Sequence, residues 1–236
     1  MRYDNQLLRH ELKYYINYHI YHELRQRLKT VIQVDPHMPD EEGYKISSLY
    51  FDDMYSSAME QKLAGVRFRK KFRIRCYNSS DRVIRLECKY KYDNYIAKQG
   101  AGLTRAEYDS ILSGEYGFLL KRPEKVCQEL FCYNRTRLMK PTVVVDYLRE
   151  AYISPLGNVR VTFDKELEAS AGTLDMFSDA YVAHRVLPQD LLIMEVKYDD
   201  YIPVHILSII QTAMTDRCAI SKYVMCRLNR KMVKHK

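Results

Sequence analysis

A chain of 236 residues, 47% hydrophobic with only 8 Gly and 7 Pro, can bury a sizeable core and has no Gly/Ser-rich or Pro-rich linker, so one domain over residues 1–236 is expected. Its net charge of +8 favours an anionic partner without choosing among nucleic acid, a membrane surface and a phosphorylated small molecule. The chain has no apolar run of membrane-spanning length, no secretory signal after Met1-Arg2-Tyr3-Asp4-Asn5, and six Cys with neither CxxC nor zinc spacing to His, so a transmembrane helix and a zinc centre are excluded and a cytoplasmic protein with reduced thiols is expected.

In chain order, residues 7–16 predict a strand, and Ile20, Leu24, Leu28, Val31 and Ile32 recur at helical spacing over 18–33. Residues 44–51 predict a second strand, and Asp52-Asp53 is placed to cap a short helix over 54–63. Three strands follow at 66–78, 81–92 and 94–99, joined by turns at Asn78-Ser79-Ser80-Asp81 and Asp93-Asn94. Thr104 and Glu107 have the spacing of a capping box, opening a helix to about residue 113. A helix over 122–132 precedes strands 141–151 and 159–167, and residues 169–189 carry no regular pattern. Strand 191–198 and helices 203–214 and 219–231 complete the chain, and Arg230, Lys231, Lys234 and Lys236 read as a solvated basic tail. The expected fold is α+β: an antiparallel eight-stranded β-barrel with flanking helices.

The strands share a charge pattern. Glu11-Leu12-Lys13, Arg73-Ile74-Arg75, Glu87-Cys88-Lys89 and Glu195-Val196-Lys197 each place two charges around an apolar residue, and Arg160-Val161-Thr162-Phe163-Asp164 extends the pattern. Residues i and i+2 of a strand share a face, so each segment is charged on one side and apolar on the other. Five such strands dispersed along the chain predict convergence on one polar interior, rich in Lys and Arg with a few Glu, which suits a polyphosphate group and its metal ion. Part of the preceding run Arg67, Arg69, Lys70 and Lys71 reads as surface, and Lys91 as rim. His10 has the parity opposite to Glu11 and is expected to face outward.

These segments, together with His10-Glu11-Leu12-Lys13-Tyr14, Leu49-Tyr50-Phe51-Asp52, Tyr133-Asn134-Arg135-Thr136 and Ser221-Lys222-Tyr223, resemble the VTC domain, the polyphosphate polymerase branch of the triphosphate tunnel metalloenzymes. Each motif is weak alone; in this order, over about residues 8–228, they make a specific signal. The resemblance implies a barrel forming a basic tunnel in which the γ-phosphoryl group of ATP passes to a growing polyphosphate chain with a divalent metal, Mn²⁺ favoured and Mg²⁺ the alternative. By motif, Lys13, Arg73, Arg75, Lys89, Arg135, Arg160, Lys197 and Lys222 fall on catalytic, phosphate-binding positions. Lys98 and Ser221 are further phosphate contacts, Glu11 and Glu87 offset positive charge, and Glu195 falls on the metal-binding glutamate.

The physics of those roles is consistent. Phosphoryl transfer asks a protein for alignment and charge neutralisation rather than covalent chemistry, so no side-chain nucleophile is required. Arg offers forked donors to phosphate oxygens and Lys movable point charges. The hydrolase branch carries Glu-x-Glu-x-Lys on its first strand; here Arg9 stands at the first acidic position, which favours synthesis or binding over hydrolysis. The alternatives are a non-catalytic polyphosphate or triphosphate sensor, and a tripolyphosphate or nucleoside triphosphate hydrolase. No nucleic-acid motif is present; the resemblance implies ATP and polyphosphate as partners, and coupled translocation would need a separate membrane or channel protein.

Overall fold

Alternating strands of this kind bury one face outward under helices and turn the other inward, and the chain does both. The structure, a computed structural model, describes residues 2–3, 6–93, 95–214 and 218–234. Eight long strands dominate: β1 (Arg9–Asn17), β2 (Tyr44–Asp52), β3 (Phe68–Tyr77), β4 (Ser80–Tyr92), β5 (Tyr95–Leu103), β6 (Lys140–Ser154), β7 (Val159–Ser170) and β8 (Leu191–Tyr198). Every pairing among them is antiparallel, in the order β7-β8-β1-β5-β4-β3-β2-β6, and β6 pairs back onto β7 to close the ring. The expected eight-stranded barrel is therefore present. Short strands at Gln33–Val34 and Ala183–Arg185 extend its edges; the second lies in the stretch read as irregular.

Local chemistry fixes the turns. Asn78 and Ser79 both take positive φ (50° and 53°) between β3 and β4, as a two-residue hairpin matched to strand twist requires. Asp93 likewise has φ 54° at the β4–β5 turn, while Asn94 lies outside the described residues. A bulge between Lys165 and Glu168, with Glu166 at φ 52°, reverses the parity of β7. Asp164 thus faces the interior before the bulge, and Leu167 and Ala169 join an interior apolar cluster after it.

Six helices flank the ring: α1 (Tyr18–Lys29), α2 (Ser57–Leu63), α3 (Arg105–Leu112), α4 (Lys125–Arg137), α5 (Val204–Ile210) and α6 (Lys222–Lys234). Helix α1 stops four residues before the expected end at 33, where the chain turns into the edge strand. The Thr104–Glu107 capping box forms in full. Helices α1 and α5 cover the outer faces of β1, β7 and β8 through Leu24, Leu28, Ile206 and Ile210 against Tyr14, Val161, Phe163, Met194 and Val196. Helices α3 and α4 cover β3 and β4 through Tyr108, Ile111, Val126 and Leu130 against Phe72, Ile74, Leu86 and Cys88. Helix α6 packs on inward residues instead: Tyr223, Val224 and Cys226 meet Val143, Val145, Leu167 and Ile193. Arg230 is not in a solvated tail: it is buried and donates to the carbonyls of Thr142 (2.5 Å) and Gly172 (2.9 Å). Among the described residues, no helix is long and apolar enough to cross a membrane.

Candidate functional site

The inward faces enclose a cavity of about 670 Å³. Among the described residues, fourteen Lys and Arg side chains line it against two carboxylates, Glu11 and Glu195, so positive charge dominates even when the buried Glu87 and Asp164 behind the wall are added. Because each strand contributes alternate residues, Lys13 of β1, Arg73 and Arg75 of β3, Lys89 of β4, Lys98 of β5, Arg160 of β7 and Lys197 of β8 converge, and Ser221 and Lys222 enter from the start of α6. Glu87 is buried behind this lining, where Arg73 and Lys98 reach it at 2.8 and 2.7 Å.

Arg135 is not brought there. It lies exposed on the outer helix α4, its guanidinium over the Phe131 ring at 5.4 Å, and α4 packs on the outer faces of β3 and β4. The Tyr-Asn-Arg-Thr context suggested an interior position that a helix outside the barrel cannot supply. Nor is the neighbouring Arg137 in the cavity; it faces Asp53 at 3.7 Å. Conversely, Lys91, read as rim, lines the cavity, and so do Arg69 and Lys71 of the run read in part as surface. The signal was available: Arg69 and Lys71 have the parity of Arg73 and Arg75. Of the same run, Arg67 pairs outside with Asp93 and Lys70 with Glu129. Arg149, inward on β6 beside Tyr147, was also missed. His10 packs against Tyr198 and Tyr95, on the side opposite to Glu11, as its parity required.

Two carboxylates organise the cations. Glu195 accepts from Lys222 at 2.6 Å and lies 3.0 Å from Lys13, 3.4 Å from Lys197 and 3.5 Å from Arg149. Glu11 accepts from Lys89 at 2.6 Å and lies 3.5 Å from Lys197 and 3.8 Å from Lys13. Arg149 holds Asp164 through two bonds of 2.6 and 2.7 Å, and Lys222 also pairs with Asp164. Burial alone would raise the Glu195 carboxyl, but Lys13, Lys222, Lys197 and Arg149 outweigh it and hold it well below the usual range. Glu11 is held low in the same way, against its burial, by Lys13, Lys89 and Lys197. Burial pulls Lys89 and Lys197 down to about 8 despite these carboxylates.

Along β3 the balance differs. Lys71 donates to Ser221 Oγ at 3.0 Å and lies 5.0 Å from the centre of the Tyr223 ring. Burial first, then Lys13, Arg69, Lys89 and Lys62, push its amine well below the ordinary lysine value. Arg75 donates to Ser48 and Tyr147 at 3.2 and 3.0 Å, and Arg73 to Tyr50 at 3.1 Å, so hydroxyls rather than charges satisfy much of this wall. Such an assembly is self-repelling until an anion enters.

A divalent cation fits the carboxylate side of the cavity. Glu11 and Glu195 are ionised, share Lys13 and Lys197, and offer only oxygen. Among the described residues no group of three His, Cys, Asp or Glu forms a self-sufficient metal cage. A hard ion would therefore complete its shell with phosphate oxygens and water, the usual habit of Mg²⁺ at phosphate sites. Cys76 and Cys88 are no substitute nucleophiles: burial pushes them up to about 11 and about 12.

Comparison with known proteins agrees with this architecture. The family model described as VTC domain matches residues 8–229. The fold is similar to that of a "putative adenylate cyclase" from Bacillus halodurans, with TM-score 0.55 and 10% identity over 92% of this chain and 95% of that one. A "putative adenylate cyclase" from Vibrio parahaemolyticus is similar at TM-score 0.51 and 13% identity, over 93% of this chain and 97% of that one. At these identities the likeness concerns the fold alone. No curated protein matches.

Proposed function

The chain belongs to the VTC-domain family, and from that premise we propose that it is a polyphosphate polymerase, transferring the γ-phosphoryl group of ATP to a polyphosphate chain inside the cationic cavity. The observation that carries this reading is the excess, among the described residues, of fourteen Lys and Arg over two carboxylates around a 670 Å³ space enclosed by the ring. A solvated surface can tolerate loose cations; an enclosed lumen of them is explained by a polyanion that neutralises them.

In the proposed reaction, a terminal oxygen of the acceptor chain attacks the γ-phosphorus, the bond from that phosphorus to the β,γ-bridging oxygen breaks, and ADP leaves with the electron pair. Arg73 and Arg75 hold phosphate oxygens in forked bonds, while Lys13, Lys89, Lys197 and Lys222 turn from Glu11, Glu195 and Asp164 toward the incoming charge. Arg160, Lys98 and Ser221 extend the track. Glu195, with Glu11 beside it, would hold a divalent ion, Mn²⁺ by preference, which neutralises charge on the phosphate oxygens when bound. Arg9 at the first acidic position of the hydrolase pattern removes a carboxylate that could activate water; it pairs instead with Asp199 at 2.9 Å.

Incubation of the purified protein with ATP and Mn²⁺, with and without a short polyphosphate primer, tests this on a gel. A ladder of lengthening polyphosphate is expected. Orthophosphate alone would make the protein a hydrolase, and tight polyphosphate binding without turnover would make it a sensor. Glu195→Gln should abolish turnover while sparing most anion binding, because it removes a metal ligand and leaves the cations in place; normal turnover of this variant would refute the metal assignment.

A further inference from the structure

A second pocket, of about 340 Å³, opens beside the lumen and has different chemistry. It shares Lys62 and residues 218–221 with the large cavity, so the two are continuous. Beyond that junction its walls are Tyr15 of β1, Leu63 of α2, and Val224 and Met225 of α6. Tyr15 is 36% exposed, and its hydroxyl donates to Met225 Sδ at 3.4 Å. A polyphosphate has no apolar surface to place against such walls. The volume falls within the usual range for small-ligand pockets, about 300–1,000 Å³. At the junction itself stand Lys62, Lys222 and Lys71, the last bonded to Ser221.

We propose that this pocket receives the nucleobase and ribose of a nucleoside triphosphate, whose phosphates lead past Ser221 into the lumen. The proposal rests on the reading of the lumen as a triphosphate site and assigns the part of the donor that the lumen cannot recognise. The exposed Tyr15 ring offers a face for base stacking, and the Met225 thioether, bonded to its hydroxyl, sets the orientation of that ring and lines the pocket beside it. Apolar walls followed by cations match the order of a nucleotide read from base to γ-phosphate. The donor would then enter between α2 and α6.

The test compares binding of ATP and of inorganic tripolyphosphate by calorimetry, in the intact protein and in Tyr15→Ala. Loss of one stacking platform should weaken ATP binding about tenfold while leaving tripolyphosphate affinity unchanged. Tyr15→Phe, which keeps the ring and removes only the hydroxyl, should retain ATP affinity. The proposal is overturned if ATP affinity is unaffected by Tyr15→Ala or falls equally in Tyr15→Phe, if both ligands weaken together, or if the intact protein binds ATP no more tightly than tripolyphosphate. Failure of the intact protein to bind tripolyphosphate at all would instead refute the lumen reading, and this proposal with it.

Discussion

Lys71 shows how one buried amine can be both a cost and a device. Its pKa is depressed by burial and by Lys13, Arg69, Lys89 and Lys62, with a serine hydroxyl for a partner. Between its lowered native value and the ordinary 10.5, the unfolded chain therefore holds more protons than the native one. Stability from this group rises with pH across that window and is lowest below it. Lys71→Met, which keeps the volume and drops the charge, should raise the urea midpoint of the ligand-free protein at neutral pH. The same variant should bind tripolyphosphate about tenfold or more weakly, since a charge-assisted hydrogen bond is worth about 1.5–3 kcal/mol. A midpoint unchanged or lowered at neutral pH would show that the amine is not strained in the empty lumen. Lys71 also marks the limit of sequence reading at this scale. The charge pattern pointed to Glu11, Lys13, Glu87, Lys89, Glu195 and Lys197 because it recurs on separate strands dispersed along the chain, although any one such strand would be ordinary solvated sheet. Lys71 and Arg69 lie in an all-cationic run, which a solvated strand would present equally well, and only the ring's closure makes their parity decisive.

Among the elements, helix α2 depends on the two aspartates that precede it. Its formal N-cap, Ser56, sits in the left-handed region at φ 57° and makes no side-chain cap bond. Asp52 instead accepts from the backbone N–H groups of Ala58 (2.8 Å) and Met59 (3.3 Å), Asp53 accepts from that of Ser57 (2.8 Å), and the buried Tyr223 hydroxyl of α6 also donates to Asp52. One carboxylate thus ties α2 to α6, the two helices flanking the proposed nucleoside pocket. Asp52→Ala should cost roughly 2–4 kcal/mol, combining a lost cap with a buried hydroxyl left unpaired. Asp52→Asn, which keeps an acceptor, should recover much of it. Equal urea midpoints for wild type and Asp52→Ala would mean that α2 is held by packing alone. The aspartates were legible as caps because their position before a short apolar run is a local signal. The parity reversal at Glu166 was not: nothing in Lys165-Glu166-Leu167 announces a bulge, and the residue adopts φ 52° because the register with β6 demands it. Arg135 was misplaced for another reason: it was chosen by its Tyr-Asn-Arg-Thr context beyond an expected helix end at 132, whereas α4 runs on to Arg137 and carries it on the outside of the barrel.

At the scale of the whole molecule, the ring is unevenly closed. β6 meets β7 over nine paired residues, whereas β1 meets β5 only at Arg9↔Ile96 and His10↔Tyr95. Past that short seam an ion pair crosses between the two sides, Lys89 of β4 reaching Glu11 of β1 at 2.6 Å, while Lys98 of β5 is held on its own side by Glu87 of β4. Local opening is cheapest where few backbone bonds resist it, so amides of residues 9–12 and 95–98 should exchange faster than those of the β3–β4 hairpin. A polyanion bound by Lys13 on one side and by Lys89 and Lys98 on the other would bridge the gap with charge-assisted bonds. At a ligand concentration about 100 times Kd, linkage supplies about 2.7 kcal/mol to the native state, which for a chain of this size raises Tm by about 5–10 °C. Protection at the seam should grow by more than this global increment, and raising the salt toward 1 M, where the screening length falls to about 3 Å, should reduce both effects. A uniform gain in protection with no excess at β1 and β5 would place the bound anion elsewhere in the molecule. A Tm that responds to sulfate as strongly as to tripolyphosphate at equal ionic strength would reduce the lumen to a general anion sink, because only a chain of linked phosphates can hold both sides of the seam at once.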